Sequence, residues 1–252
     1  YESDSGITSR QYYYPDRKDA EETTYKHSIK MMNWFEEEIG IPYPWKIYRN
    51  VPVQDFMYGA MENTTATIFT DYYLQNEKEA LERNYVGTNA HELAHQWFGD
   101  YITEWSGSSH WLHESFATHY SKQFLREVHG EDDYKWHARN EQNSALRASK
   151  KNDLPIGHSG SGSSRHYPKG SYVLDMLRYV VGEKEYKKTV TDYLNNHALG
   201  MVDTHDFEMA FMKSLGMNLG WFFNQWIYKG GEPEYEISYK AGMAKTVVSV
   251  KQ

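Results

Sequence analysis

Two histidines four residues apart, with a glutamate following the first, stand in the run His91-Glu92-Leu93-Ala94-His95. On a helix that interval is a little over one turn, so both imidazoles leave the same face and can share one ion. Zinc takes histidine nitrogen at about 2.0–2.1 Å, a distance that side chains on successive turns reach without distorting the backbone. Glu92 emerges beside the pair, where its carboxylate can take a proton from a metal-held water instead of binding the metal itself. With 12 histidines in 252 residues, random placement yields such a pentad in roughly 5% of chains, so the run alone is only suggestive.

A third donor shifts the balance. Glu114 lies 19 positions beyond His95, in Trp111-Leu112-His113-Glu114-Ser115, and an antiparallel helix pair would return its carboxylate to the two imidazoles. Two histidines and one carboxylate leave a fourth position for water, the arrangement of a catalytic zinc site and not of a structural one. The expectation is therefore one Zn2+ per chain held by His91, His95 and Glu114, with Glu92 as general base. His110, His113 and His119 crowd the same region, but none completes the first pair better than Glu114. They are expected at the surface or in support of the ligands.

Four blocks together resemble the M1 (gluzincin) zinc aminopeptidases, the family that includes aminopeptidase N and leukotriene A4 hydrolase. They are Gly59-Ala60-Met61-Glu62-Asn63, His91 to Gly99, Trp111 to Ala117 and Tyr167-Pro168-Lys169-Gly170. The likeness runs from about Tyr12 to Tyr235. It implies a thermolysin-like catalytic domain of α+β class, a small mixed sheet packed on a mainly helical lobe with zinc between them. It also implies hydrolysis of the first peptide bond of an oligopeptide with a free amino terminus.

The resemblance assigns substrate binding to Gly59, Ala60, Met61, Glu62 and Asn63, and oxyanion stabilisation to Tyr167. The chemistry suits those roles. A free α-amino group (pKa about 7.7–8.0) and a glutamate (about 4.3) form a charge-assisted hydrogen bond at neutral pH, which makes Glu62 a counter-ion for the substrate ammonium. Gly59 and Ala60 have almost no side chain, so a substrate backbone can approach them as an added strand. A phenol with pKa about 10 keeps its proton and can donate to the tetrahedral intermediate.

The block around Glu114 departs from the family's commonest pattern at His113, usually Asn, and Ser115, usually Gly. Family enzymes also carry a preceding β domain and a following helical domain, so flanking domains of a longer chain are expected partners. Rival readings are a zinc endopeptidase, a bifunctional epoxide hydrolase/aminopeptidase, or a non-catalytic peptide-binding scaffold; the full ligand set argues against the last.

The elements that must position these residues follow from periodicity. Helical spacing of apolar residues predicts helices over 23–39, 77–101, 111–128, 170–181, 183–195, 204–215 and 220–228. Residues 46–56 and 64–73, rich in Ile, Val, Thr, Tyr and Phe, predict strands. The stretch 152–165 contains a Gly/Ser run without side chains able to pack, which predicts a mobile surface loop. Period-two alternation over 234–251 marks a boundary near Gly230–Pro233, which divides the chain into a catalytic domain (1–232) and the start of a following β domain (233–252).

Composition bounds the rest. A net charge of −8, with no clustered Lys and Arg, argues against a nucleic-acid surface. The absence of cysteine leaves neither disulfides nor thiolate ligands, so a metal must use His, Asp or Glu. No apolar run approaches the roughly 20 residues of a membrane span. A chain that opens at Tyr1 and not at Met suggests removal of a leader or a preceding domain.

Overall fold

Alternation of buried and half-buried residues along Ile47–Val53 turns Tyr48 and Asn50 inward, the pattern of a strand with one covered face. In the computed structural model, which describes residues 1–252, this strand (β2) lies inside a four-stranded mixed sheet. Thr8–Gln11 (β1) pairs with it in parallel, and so does Ala66–Thr70 (β4) on its other side. Pro52, which cannot donate to a ladder, sits beyond the last residue of β2 that faces β1. The short strand Ala60–Met61 (β3) pairs antiparallel with β4 and forms one edge of the sheet, its outer side open.

The helices form the larger part. Glu21–Tyr25 (α1) and Ser28–Ile39 (α2) precede β2; Val86–Ala94 (α3), Trp111–His129 (α4) and Glu131–Ser149 (α5) follow β4. Thr103–Glu104 (β5) lies between α3 and α4. Gly170–Val181 (α6) and Glu183–Asn196 (α7) come next, then Met201–Val202 (β6), which pairs in parallel with β5. Thr204–Leu215 (α8), closed at its start by a reciprocal Asp203–Asp206 capping box, and Gly220–Phe223 (α9) complete the lobe. No helix is long and apolar enough to cross a membrane.

An aromatic core locks these elements together. Trp97 stacks on Phe35 of α2 at 5.9 Å, and Phe98 stacks on Phe116 of α4 at 4.4 Å. Both rings belong to the turn that leaves α3, so burying them fixes the end of α3 against α4. The indole N–H of Trp97 donates to Ile41 O at 3.1 Å, and that of Trp111 to Thr204 Oγ1 at 2.9 Å, so neither burial leaves a donor unpaired.

The fold is α+β, a small mixed sheet with a helical lobe, but several segments differ from the periodicity. Only Val86–Ala94 of the predicted 77–101 helix is continuous. Beyond His95 the chain turns through Gly99, whose φ of +147° suits glycine and brings the Asp100 N–H back to His95 O. The 23–39 helix is broken near His27 into α1 and α2. Helix α5 has no apolar stripe to betray it, since only Glu141 and Ala145 are buried along its length.

The Gly/Ser run is pinned and not loose. Ile156 is fully buried, the Gly157 N–H donates to Ile227 O, and Arg165 donates to Ser161 O and Asn152 O. Backbone groups supply the packing that its small side chains do not. The tail forms an antiparallel hairpin, Glu236–Ala241 (β7) with Thr246–Lys251 (β8), exposed at every position.

Candidate active site

The end of α3 and the first turn of α4 bring His91, His95 and Glu114 together. His91 Nε2 lies 3.2 Å from Glu114 Oε2, His95 Nε2 lies 3.4 Å from the same oxygen, and the two Nε2 atoms are 3.1 Å apart. Donors about 2.0–2.1 Å from the centre of a regular tetrahedron stand about 3.3 Å from one another, so these three atoms span one face of a zinc-sized coordination shell. His95 is oriented for the task, its Nδ1–H donating to Phe98 O at 3.0 Å so that Nε2 points inward.

Charge and burial reinforce the grouping. Burial works against the charged form of all three residues. At Glu114 it is outweighed by hydrogen bonds and charge from His91 and His95, which hold the carboxyl well below the usual range. At His95 burial is outweighed by Glu114, assisted by Glu62 and Glu92, and the imidazole rises to about 10. At His91 burial prevails and lowers the pKa.

Glu92 lines a cleft of about 650 Å3 together with Gly59, Ala60, His91 and Tyr167. Burial pushes its carboxyl up to about 8, against the pull of His95, and its Oε2 is buried without a hydrogen-bond partner. An unpartnered buried carboxylate oxygen is costly unless something else uses it. Tyr167 lines the same cleft from a π turn over Arg165–Lys169 that leads into α6. Burial, then the Glu114 charge, raises its phenol above the ordinary value, so the proton stays on oxygen.

Of the Gly59–Asn63 block, Gly59 and Ala60 line the cleft, whereas Met61, Glu62 and Asn63 do not. Glu62 lies beside the donor group, Oε1 4.0 Å from His95 Nδ1. A Cβ at Gly59 would come within 2.8 Å of the Tyr73 hydroxyl, so a side chain there would displace the Tyr73 ring end.

Two residues with a part in this geometry carry no role in the sequence reading. Gln96 donates to Glu62 O and accepts from Thr65 N–H at 2.8 Å, tying the block to the end of α3 and holding Thr65 at a φ of +64°. Its signal is its place directly after His95. Glu104 gathers His110 and His113, and nothing in its local sequence marks it. His119 is neither at the surface nor beside the ligands, being fully buried with Nδ1 2.9 Å from Asp175.

The description "Peptidase family M1 domain" matches residues 23–226. The chain belongs to peptidase family M1. Among M1 relatives, it is 32% identical to Tricorn protease-interacting factor F2 of Thermoplasma acidophilum over 81% of its length, and 31% identical to aminopeptidase N of Streptomyces lividans, also over 81%. It spans 28% and 26% of those proteins. The M1 fold is shared with a variant of the M1 zinc metallopeptidase of Deinococcus radiodurans bound to a Tyr-Ser-Ala substrate. That likeness has a TM-score of 0.67 at 22% identity and covers 82% of this chain and 45% of that one. The M1 relatives include zinc metallopeptidases, and His91, His95 and Glu114 form a group able to hold a metal ion.

Proposed function

We propose that the chain is the catalytic core of a zinc aminopeptidase that removes the first residue of oligopeptides, with one Zn2+ held by His91, His95 and Glu114. The observation that carries the reading is the tetrahedral spacing of three donor atoms beside the unpartnered oxygen of Glu92. When bound, zinc supplies Lewis acidity that polarises the scissile carbonyl and lowers the pKa of water toward 7.

The chain's own groups divide the remaining work. Glu92 accepts the proton of the attacking water and returns it to the leaving amine, a task open to a buried carboxylate oxygen with no other partner. Tyr167 donates its phenolic O–H to the developing oxyanion. Glu62 pairs with the substrate ammonium and so counts one residue from the amino terminus. The open outer side of β3 supports an extended substrate adding along Ala60 and Met61, with Gly59 and Asn63 flanking it.

Residues 1–232 serve as this catalytic unit, and 233–252 begin a β unit that packs elsewhere. Ile237, Tyr239, Val248 and Val250 are exposed on the hairpin, and a two-stranded ribbon alone is marginally stable. Flanking domains are thus partners in the full activity.

Metal analysis combined with hydrolysis of free and N-acetylated aminoacyl peptides tests the reading. The expected result is one zinc per chain, cleavage of free peptides only, and a Glu92→Gln variant that keeps zinc but not turnover. Equal cleavage of acetylated and free peptides would reject aminopeptidase action, and a fully active Glu92→Gln would remove the base.

A further inference from the structure

Glu104, His110 and His113 form a second group of metal-ligating side chains beside the first, their donor atoms within 4.8 Å of one another. Hydrogen bonding argues against a second ion there. The backbone N–H of Glu104 donates to His113 Nε2 at 2.7 Å, which uses that lone pair and leaves the ring hydrogen on Nδ1. His113 Nδ1 then faces Glu104 Oε2 at 3.4 Å as a donor, with no lone pair to offer a metal.

His110 connects the two groups. Its Nδ1 lies 3.0 and 3.1 Å from the two oxygens of Glu104, and its Nε2 stands at an ion-pair distance of 3.5 Å from Glu114 Oε1, a contact that joins the two when the ring carries both protons. The other oxygen of Glu114, Oε2, faces His91 and His95. The carboxylate is thereby divided, one oxygen toward the zinc donors and one toward His110.

We propose that His110 and Glu104 are positioning residues for the metal, Glu104 anchoring His110 and His110 holding Glu114 Oε1 so that Oε2 alone is presented to the ion. This rests on the zinc reading of His91, His95 and Glu114. The anchor is rigid, because Glu104 belongs to β5, whose flanking bonds Thr103 N–H to Gly200 O and Trp105 N–H to Val202 O measure 3.0 and 2.8 Å. His110 precedes Glu114 by four residues and accepts its backbone N–H at 3.2 Å, so the two side chains lie on one face, a turn apart. The terminal torsion of a glutamate is broad and roughly two-fold. Occupying one oxygen removes the rotated and bidentate alternatives and keeps a coordination position open for water. Partners of this kind contribute about 10–100-fold to metal affinity.

The test is zinc affinity, measured by competition with a chromophoric chelator on the 252-residue chain and its His110→Leu, His110→Gln and Glu104→Gln variants. Far-UV circular dichroism and the Tm of the metal-free proteins accompany it, with the visible spectrum of the Co(II) forms. One zinc per chain is expected, bound about 10–100-fold more weakly by His110→Leu. His110→Gln should recover most of the loss, since its amide can donate to Glu114 Oε1, and Glu104→Gln should fall between. The Co(II) bands should shift in His110→Leu, a change that a purely structural role would not produce. A folded His110→Leu or Glu104→Gln with zinc affinity within twofold of the unmodified chain overturns the proposal. Two zinc ions per chain, with the second lost in Glu104→Gln, overturns it in favour of a second metal centre. An unmodified chain that takes up no zinc overturns the proposed function, and this inference with it.

Discussion

The rings of His91 and Tyr167 lie 5.7 Å apart and within 7° of parallel. One comes from the middle of α3 and the other from the π turn before α6, so the stack joins two distant parts of the chain. It keeps the phenol beside the donor group, within reach of the Glu114 carboxylate.

Replacing Tyr167 by Phe separates those two properties. The ring and its stack survive, and only the O–H donor is lost. We expect kcat to fall by roughly 10²–10³-fold, equivalent to about 2.7–4 kcal/mol of barrier, with zinc content unchanged. Steady-state kinetics beside metal analysis checks this; an unaltered kcat would leave the phenol without a chemical part.

Glu62→Gln removes a charge from beside the cleft while keeping the side chain's shape. Hydrogen bonds to charged groups contribute about 1.5–3 kcal/mol, so kcat/KM for peptides with a free amino terminus should fall about 10–100-fold. Any residual cleavage of acetylated peptides should not change. A proportional loss on both substrate types would place Glu62 in folding and not in amine recognition.

Gly170 and Ser115 meet where α6 starts against α4. A Cβ at Gly170 would fall 1.7 Å from Ser115 Oγ and 2.6 Å from Ser115 Cβ, in a fully buried contact. Gly170→Ala should therefore destabilise the chain by about 1–3 kcal/mol. A second change, Ser115→Gly, makes room for the methyl, though it gives up the hydroxyl's bond to His166 O at 2.6 Å. Urea unfolding of the two single variants and the double should show non-additivity; strictly additive losses would mean the clash is relieved elsewhere.

In the wall of the cleft, the Lys122 ammonium lies between the Glu141 and Asp175 carboxylates, with Ser171 donating to Glu141 and His119 beside Asp175. Burial pushes Glu141 up to about 7 despite Lys122, whereas burial at Asp175 is outweighed by Lys122 and His119, which hold it below the usual range. The signs are opposite. Stability from Glu141 is complete below its ordinary 4.5 and is lost as pH rises through about 7; that from Asp175 is present above its ordinary 3.8 and is lost on acidification. Glu141→Gln should flatten the decline in unfolding free energy between about pH 5 and 7.5 in the metal-free chain. An unchanged slope would assign the decline to another group.

Replacing Lys122 itself by Met leaves two carboxylates facing each other in the interior. A loss of about 3–5 kcal/mol is expected, because breaking a buried pair strands its partners. Chemical denaturation measures it, and a neutral result would mean that the carboxyls simply take up protons.

The local chemistry was legible in the residues. A spacing of four on a helix puts His91 and His95 on one face whatever surrounds them, and the enrichment of 46–56 and 64–73 in Ile, Val, Thr, Tyr and Phe marks segments that suit a pleated strand. The blocks around Gly59, His91, Glu114 and Tyr167 point to the M1 family by residue type and order alone. Three things came only from tertiary structure. The early end of α3 depends on Trp97 and Phe98 being buried against α2 and α4, which local periodicity cannot register. Helix α5 is held by a charged network and carries no apolar stripe, so no pattern announces it. The link from Glu104 through His110 to Glu114 exists because β5 pairs with β6, about a hundred residues away. Spacing along a helix is dictated by backbone geometry within one turn, whereas the meeting of distant side chains depends on which buried surfaces pack together.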